Sequence, residues 1–234
     1  MTRTTWSPVA ALLALGASGC FVFVHHTEDD PYRPIEAGHA DAWFDEVPEF
    51  DTGGHDIQFE GVVVGLHERS PGVELEIEGD DGERQVLGWE VQNADAIDVT
   101  PAFDVDVGQR VHLRWVSHVT WGWSGGFVLQ DEQGLVAALE IDTFGPALGG
   151  EAVPGLRVRR GPITQRAETP CGLELQRAIV FEADEELVLE PFDRRPLRLD
   201  GQEYAALAIA WSAFDPAEVH CADAGHSVVW AVHR

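Results

Sequence analysis

The stretch Val73-Glu74-Leu75-Glu76-Ile77-Glu78-Gly79-Asp80-Asp81-Gly82-Glu83-Arg84-Gln85-Val86-Leu87-Gly88-Trp89 alternates apolar and charged residues, breaks at an Asp-Gly pair, and resumes an apolar run. Successive side chains of a strand point to opposite faces, so Val73, Leu75 and Ile77 mark a buried face and the three intervening glutamates a wet one. Asp81-Gly82 is the dipeptide that tolerates the positive φ angles of a tight hairpin turn. Residues 73–89 therefore read as a β-hairpin with one solvated side.

Working outward, the same period-two signal begins near Ile57 and predicts a strand over 58–66. Gly108 precedes Val111-His112-Leu113-Arg114-Trp115-Val116, a strand over 109–117, and Phe127-Val128-Leu129 leads through Asp131 to Gly134 into Leu135-Val136-Ala137-Ala138-Leu139, a hairpin over 126–141. Residues 93–103 read as an irregular insert or one short helix; no long stretch carries apolar residues at helical spacing. The fold class is all-β. By strand spacing alone, residues 58–142 resemble an OB-like barrel, with a small β-sandwich as the alternative. Residues 143–155 hold Gly145-Pro146, Gly149-Gly150 and Pro154-Gly155 and read as a linker. Residues 156–234 form a second antiparallel β unit, with strand candidates at Leu187-Val188-Leu189, Leu197-Arg198-Leu199, Tyr204 to Trp211 and Ser227 to Val232, and a turn at Asp200-Gly201.

Three cysteines occur, Cys20, Cys171 and Cys221. Cys171 and Cys221 lie 50 residues apart, in the second unit, with no C-x-x-C spacing to suggest a redox or metal pair. A disulfide between them closes that unit; the chain-entropy model assigns a loop of this length about 4 kcal/mol.

The third cysteine belongs to the N-terminus. Arg3, the apolar run Val9 to Leu15 and then Ala17-Ser18-Gly19-Cys20 follow the basic, apolar and small-residue order of a secretory signal. These seven apolar residues before Gly16 are too few for a helix to span a bilayer core, which takes roughly 20. The segment resembles the lipobox of bacterial lipoproteins, with Ala17 where leucine is usual. The resemblance implies that residues 1–19 are removed and that Cys20 is acylated. It places the protein in the cell envelope, on the outer membrane since Phe21 and not aspartate follows the cysteine, with the membrane face left open. Residues 20–57 then read as an acidic tether. Pro31, Pro34 and Pro48 interrupt its carboxylates, and such a stretch buries too little apolar surface to offset its ordering entropy. Within it Trp43-Phe44 reads as a pair that docks on the body.

The formal net charge is −26, and every base is arginine. Nucleic-acid binding rests on cations displacing phosphate counterions, so such a chain does not read as a nucleic-acid binder. The partners this composition leaves are the membrane through the lipid, an envelope protein, or a glycan.

Catalytic motifs are sparse. Gly122-Trp123-Ser124-Gly125-Gly126 fits G-x-S-x-G, the nucleophile elbow of serine hydrolases, but that elbow needs a helix after the serine and here a strand is expected. Asp51-Thr52-Gly53 matches the aspartic-protease triplet without the second copy that a shared-proton dyad requires. Ten histidines occur with no H-x-x-x-H or H-E-x-x-H; the groups around His25-His26 and around His220 and His226 read as loop residues, and no metal or cofactor is expected. The densest aromatic cluster is His118, Trp121, Trp123 and Phe127, the candidate ligand-binding residues, where exposed rings would stack on a sugar face and buried rings would close the core. The sequence therefore predicts a non-catalytic, lipid-anchored envelope protein that binds or scaffolds, with a glycan-binding module as the second reading and a Ser124 hydrolase as the third.

Overall fold

A computed structural model describes residues 39–47, 54–69, 72–92, 101–119, 123–142, 153–169, 172–190, 193–212 and 227–234. Among them every regular element is a strand. In chain order these are β1 (His39–Phe44), β2 (His55–Arg69), β3 (Gly72–Gly79), β4 (Arg84–Gln92), β5 (Arg110–Val119), β6 (Trp123–Asp131), β7 (Gly134–Asp142), β8 (Arg157–Thr169), β9 (Gly172–Glu182), β10 (Glu186–Leu189), β11 (Arg194–Leu199), β12 (Gln202–Ser212) and β13 (Ser227–His233). All pair antiparallel.

The hairpin read at 73–89 is β3–β4, with Leu75 opposite Leu87 and Val73 opposite Trp89. Val73, Leu75 and Ile77 are buried, and Gly82 takes the turn at a φ of 84°. The second predicted turn, Asp200-Gly201, joins β11 to β12 with both residues at positive φ, 52° and 77°. That is the conformation a two-residue turn needs to match strand twist.

Three expectations change. Among the described residues no barrel closes, because β4 takes β1 on its outer edge and β6 takes β7, giving a ten-stranded sheet in the order β1-β4-β3-β2-β5-β6-β7-β13-β12-β11. Strand β1 and the start of β2 lie inside the stretch read as a tether, and Ala42 and Phe44 of β1 are buried. Of the linker's described residues, 153–155, Val153 is buried in the C-terminal core while Pro154 and Gly155 are exposed.

The large sheet also runs unbroken from the first predicted unit into the second, because β13 pairs with β7 through Val228 opposite Asp142 to His233 opposite Ala137. A smaller sheet, β10-β9-β8, lies apart from this ladder.

Two cores result. In the first, rings from distant strands meet: Trp89 of β4 lies 6.4 Å from Phe127 of β6, and Phe44 of β1 lies 6.1 Å from Trp115 of β5. Strands four apart in a flat ladder would sit about 19 Å from each other, so the sheet folds over itself around these rings. The second core fills the space between the opposite face of β5–β7 and β11–β13 and the small sheet, with Val116, Val128, Ala138, Phe181, Leu199 and Trp230 among its members. Strands β6 and β7 are thus buried on both faces, which is why they read as unbroken apolar runs and not as alternations.

The β11 edge of the large sheet is blocked against further pairing. On β11, Ala208 N–H donates to the Asp193 carbonyl, so by antiparallel alternation Arg194, Pro196 and Arg198 present their backbone outward. Pro196 has no N–H to offer there, and the Arg198 carbonyl accepts from Asp184 N–H. On β1, Trp43 is the register partner of Gly88, and a Cβ added to Gly88 would run into the Trp43 indole.

Candidate functional site

The far end of the β5–β6 hairpin carries the aromatic cluster. The ladder runs without a register shift from Val111 opposite Asp131 to His118 opposite Ser124 and Val119 opposite Trp123. Trp121 lies outside the described residues, as do Cys20, Cys171, Cys221, Asp51 to Gly53 and the histidines at 25, 26, 220 and 226. The ladder places His118 on β5 and Trp123 on β6. Phe127 is fully buried, edge-on to Trp89 and 6.0 Å from Phe103, so it is a core residue and not a ligand contact.

Ser124 stands inside β6, with strand continuing after it. Gly125 and Gly126 are ladder residues opposite Ser117 and Val116 on one side and Ile141 and Glu140 on the other. A Cβ on Gly126 would collide with the Leu139 carbonyl, so close strand packing accounts for that glycine without an elbow. The register sets His118 opposite Ser124.

Elsewhere the charged groups brace strands. On the wet face of β2–β5, Arg110 bridges Glu60 and Asp80 at 2.8 and 2.7 Å, Arg114 grips Asp56 through two 3.0 Å bonds, Arg84 meets Glu78 at 2.8 Å and His67 meets Glu76 at 3.1 Å. These pairs are exposed, so solvent screening leaves each with little net stabilisation. Inside the second core, Trp230 Nε1 donates to Glu140 Oε2 at 3.0 Å between register partners of β13 and β7.

A deeper clasp holds the end of β13. Arg234 Nη2 donates to Asp131 Oδ2 at 2.6 Å and to the Asp104 carbonyl at 2.9 Å, and Arg234 Nε donates to Asp104 Oδ2 at 3.1 Å. Asp131 also accepts from Gln109 Nε2 at 2.6 Å and from Gln133 N–H at 2.8 Å. Burial alone would push the Asp131 carboxyl up, but the Arg234 guanidinium and the Gln133 and Gly134 N–H groups outweigh it and hold the pKa below the usual carboxylate value. The neighbouring His233 is buried against Trp89, with ring centroids 6.2 Å apart, and its Nδ1 lies 3.3 Å from the Arg234 carbonyl. Desolvation, with Arg194 adding to it, lowers its pKa and keeps the imidazole neutral.

Next to the clasp, a depression of about 420 Å³ is lined by Arg194, Arg195, Pro196, Glu203, Tyr204 and Ala205 of the paired strands β11 and β12 and by Arg234. Sequence reasoning passed over it. Its signal was Arg194-Arg195 in a chain that is otherwise overwhelmingly acidic. Among the described residues no three His, Cys, Asp or Glu side chains are grouped to hold a metal ion. The chain matches no protein-family model, no curated protein and no solved structure.

Proposed function

We propose that this protein is a lipid-anchored component of the cell envelope that acts by binding or scaffolding and not by catalysis. The observation that carries the non-catalytic reading is the setting of Ser124, the best nucleophile candidate in the chain. It lies in an unbroken strand whose following residues, Gly125 and Gly126, are engaged in the ladder on both sides. An oxyanion hole needs free donors at that point, and an elbow needs a turn into a helix. The anchoring half of the reading rests on Ala17-Ser18-Gly19-Cys20. In this reading the negative charge of the body repels anionic lipid, so attachment depends on the acyl chains.

The glycan reading keeps one supporting observation. The β5–β6 ladder reaches Val119 opposite Trp123, which puts Trp121 within the three residues connecting the two strands.

Replacing Cys20 with Ser tests the anchor. Wild type is expected in the membrane pellet and extractable only by detergent, and Cys20→Ser in the soluble fraction. A wild-type protein that is soluble without detergent, or that carries no acyl chain by mass spectrometry, refutes the reading.

A further inference from the structure

Carboxylates are in such excess in this chain that a surface arginine should find one. Residues 20–156 hold 28 acids and five arginines, and residues 157–234 hold 13 acids and nine arginines. Of the arginines whose side chains are described, all but two pair with a carboxylate. The exceptions are Arg194 and Arg198 of β11, whose side chains make no hydrogen bond or ion pair with a described residue. Both are exposed, and four positions apart on one strand they share a face, the one turned away from Leu197 and Leu199 of the second core. Pairing with β12 sets Glu203 opposite Arg198 on that face. The Glu203 carboxylate is exposed and likewise makes no ion pair with a described residue.

Strand direction indicates which part of the chain arrives at these three charges. Eight antiparallel pairings separate β1 from β12 along the large sheet, so the two strands run the same way. The sheet folds over far enough to bring Cα atoms of β1 and β12 within 8 Å of each other. His39, where β1 begins, therefore lies towards the end at which β12 begins, the end that carries Arg198 and Glu203. The segment leading into His39 holds Glu28-Asp29-Asp30, then Arg33, then Glu36, a charge order complementary to Arg194, Glu203 and Arg198. From Asp30 to Glu36 is about 19 Å in the extended form that Pro31 and Pro34 favour, and Arg194 and Arg198 stand about 13 Å apart along β11. Two long guanidinium arms cover the difference. The acidic surface elsewhere on the body repels the same segment.

We propose that residues 28–36 of the N-terminal acidic stretch dock on the outer face of β11, with Glu28-Asp29-Asp30 on Arg194, Arg33 on Glu203 and Glu36 on Arg198. Each exposed pair is weak, but the segment belongs to the same chain, and its high effective concentration compensates for low affinity. The contact is a salt-sensitive catch, and it needs no acyl group on Cys20. On the anchor reading its consequence is reach. Residues 20–38 extend at most about 65 Å, whereas docking leaves only residues 20–27, at most about 28 Å, between the bilayer and the body. Failure of the anchor would appear in fractionation while the docking stayed intact.

The test exploits the absence of lysine from the chain. Arg194→Lys keeps the charge and introduces one side-chain amine, which a water-soluble carbodiimide couples to a carboxylate in contact with it. In the detergent-extracted protein, peptide mapping is expected to find that amine joined to Glu28, Asp29 or Asp30 of the same molecule, with a yield that falls several-fold between 0.05 and 0.5 M NaCl as the charges are screened. A second readout needs no crosslink. Chymotrypsin should cut after Tyr32 roughly threefold or more faster in Arg194→Ser/Arg198→Ser than in wild type at low salt, although the two should melt together because both arginines are exposed. Arg194→Glu/Arg198→Glu should be cut equally fast, and adding Glu28→Arg, Asp30→Arg and Glu36→Arg should restore protection. Coupling confined to carboxylates outside residues 28–36, such as Asp215, Glu218 or Asp223, coupling only to a second copy of the chain, a yield indifferent to salt, or equal cleavage of wild type and Arg194→Ser/Arg198→Ser would each overturn the proposal.

Discussion

Removing the Asp131 carboxylate should loosen the end of β13 from the rest of the large sheet. The Asp131 side chain has no exposed surface and that of Arg234 only 10%. Asp131→Ala therefore leaves a largely buried guanidinium facing Asp104, which is itself 67% exposed. Breaking a buried ion pair from one side costs about 3–5 kcal/mol; because the Asp104 carbonyl and carboxylate still accept from Arg234, the lower end applies, about 3 kcal/mol. For a chain of this size each kcal/mol moves Tm by about 2–4 °C, so a fall of about 6–12 °C is expected in a calorimetric scan at pH 7. Adding Arg234→Met to Asp131→Ala should cost little more, since it removes the stranded charge, and the non-additivity should lie between about 0.5 and 3 kcal/mol. Asp131→Asn supplies the pH signature. The native pKa lies below the unfolded value, so the carboxylate's contribution is complete above about pH 4 and is lost as pH falls through the native pKa. The gap between wild type and Asp131→Asn should hold from pH 8 to 5 and close in stronger acid. A Tm change below about 2 °C for Asp131→Ala, or a gap that persists undiminished towards pH 2, would refute the view that this clasp is electrostatic.

His233 should make the protein less stable in mild acid. Its native pKa is depressed, so as pH falls below the unfolded value of about 6.5 the unfolded chain takes up a proton that the native state refuses, at about 1.4 kcal/mol per pH unit; urea titrations at pH 7 and 5.5 should show wild type losing more stability than His233→Gln, and parallel losses would refute it. Gly88→Ala should displace Trp43 and free β1, lowering stability by about 1–3 kcal/mol and red-shifting tryptophan emission, whereas an unshifted spectrum with wild-type melting would mean that the Trp43 indole does not pack over Gly88.

The sequence alone determined the all-β class and the strands whose one face meets water. In β3 the alternation of Val73, Leu75 and Ile77 with glutamates is imposed by a single boundary between core and solvent, so it survives as a readable period. The turns at Gly82 and Asp200-Gly201 were legible for a similar local reason, since they need positive φ angles that few residues tolerate. Strands β8 and β9 went unread: β8 is broken by Gly161-Pro162, and Ala178-Ile179-Val180-Phe181 of β9 is buried throughout and shows no alternation. Only the tertiary structure decided how the strands join. Whether β7 closes a barrel or pairs with β13, some 90 residues further on, depends on long-range ladder bonds that leave no local trace. The same holds for the clasp. Asp131 and Arg234 are ordinary residues in isolation, and they acquire a role because sheet topology brings the end of β6 and the end of β13 together.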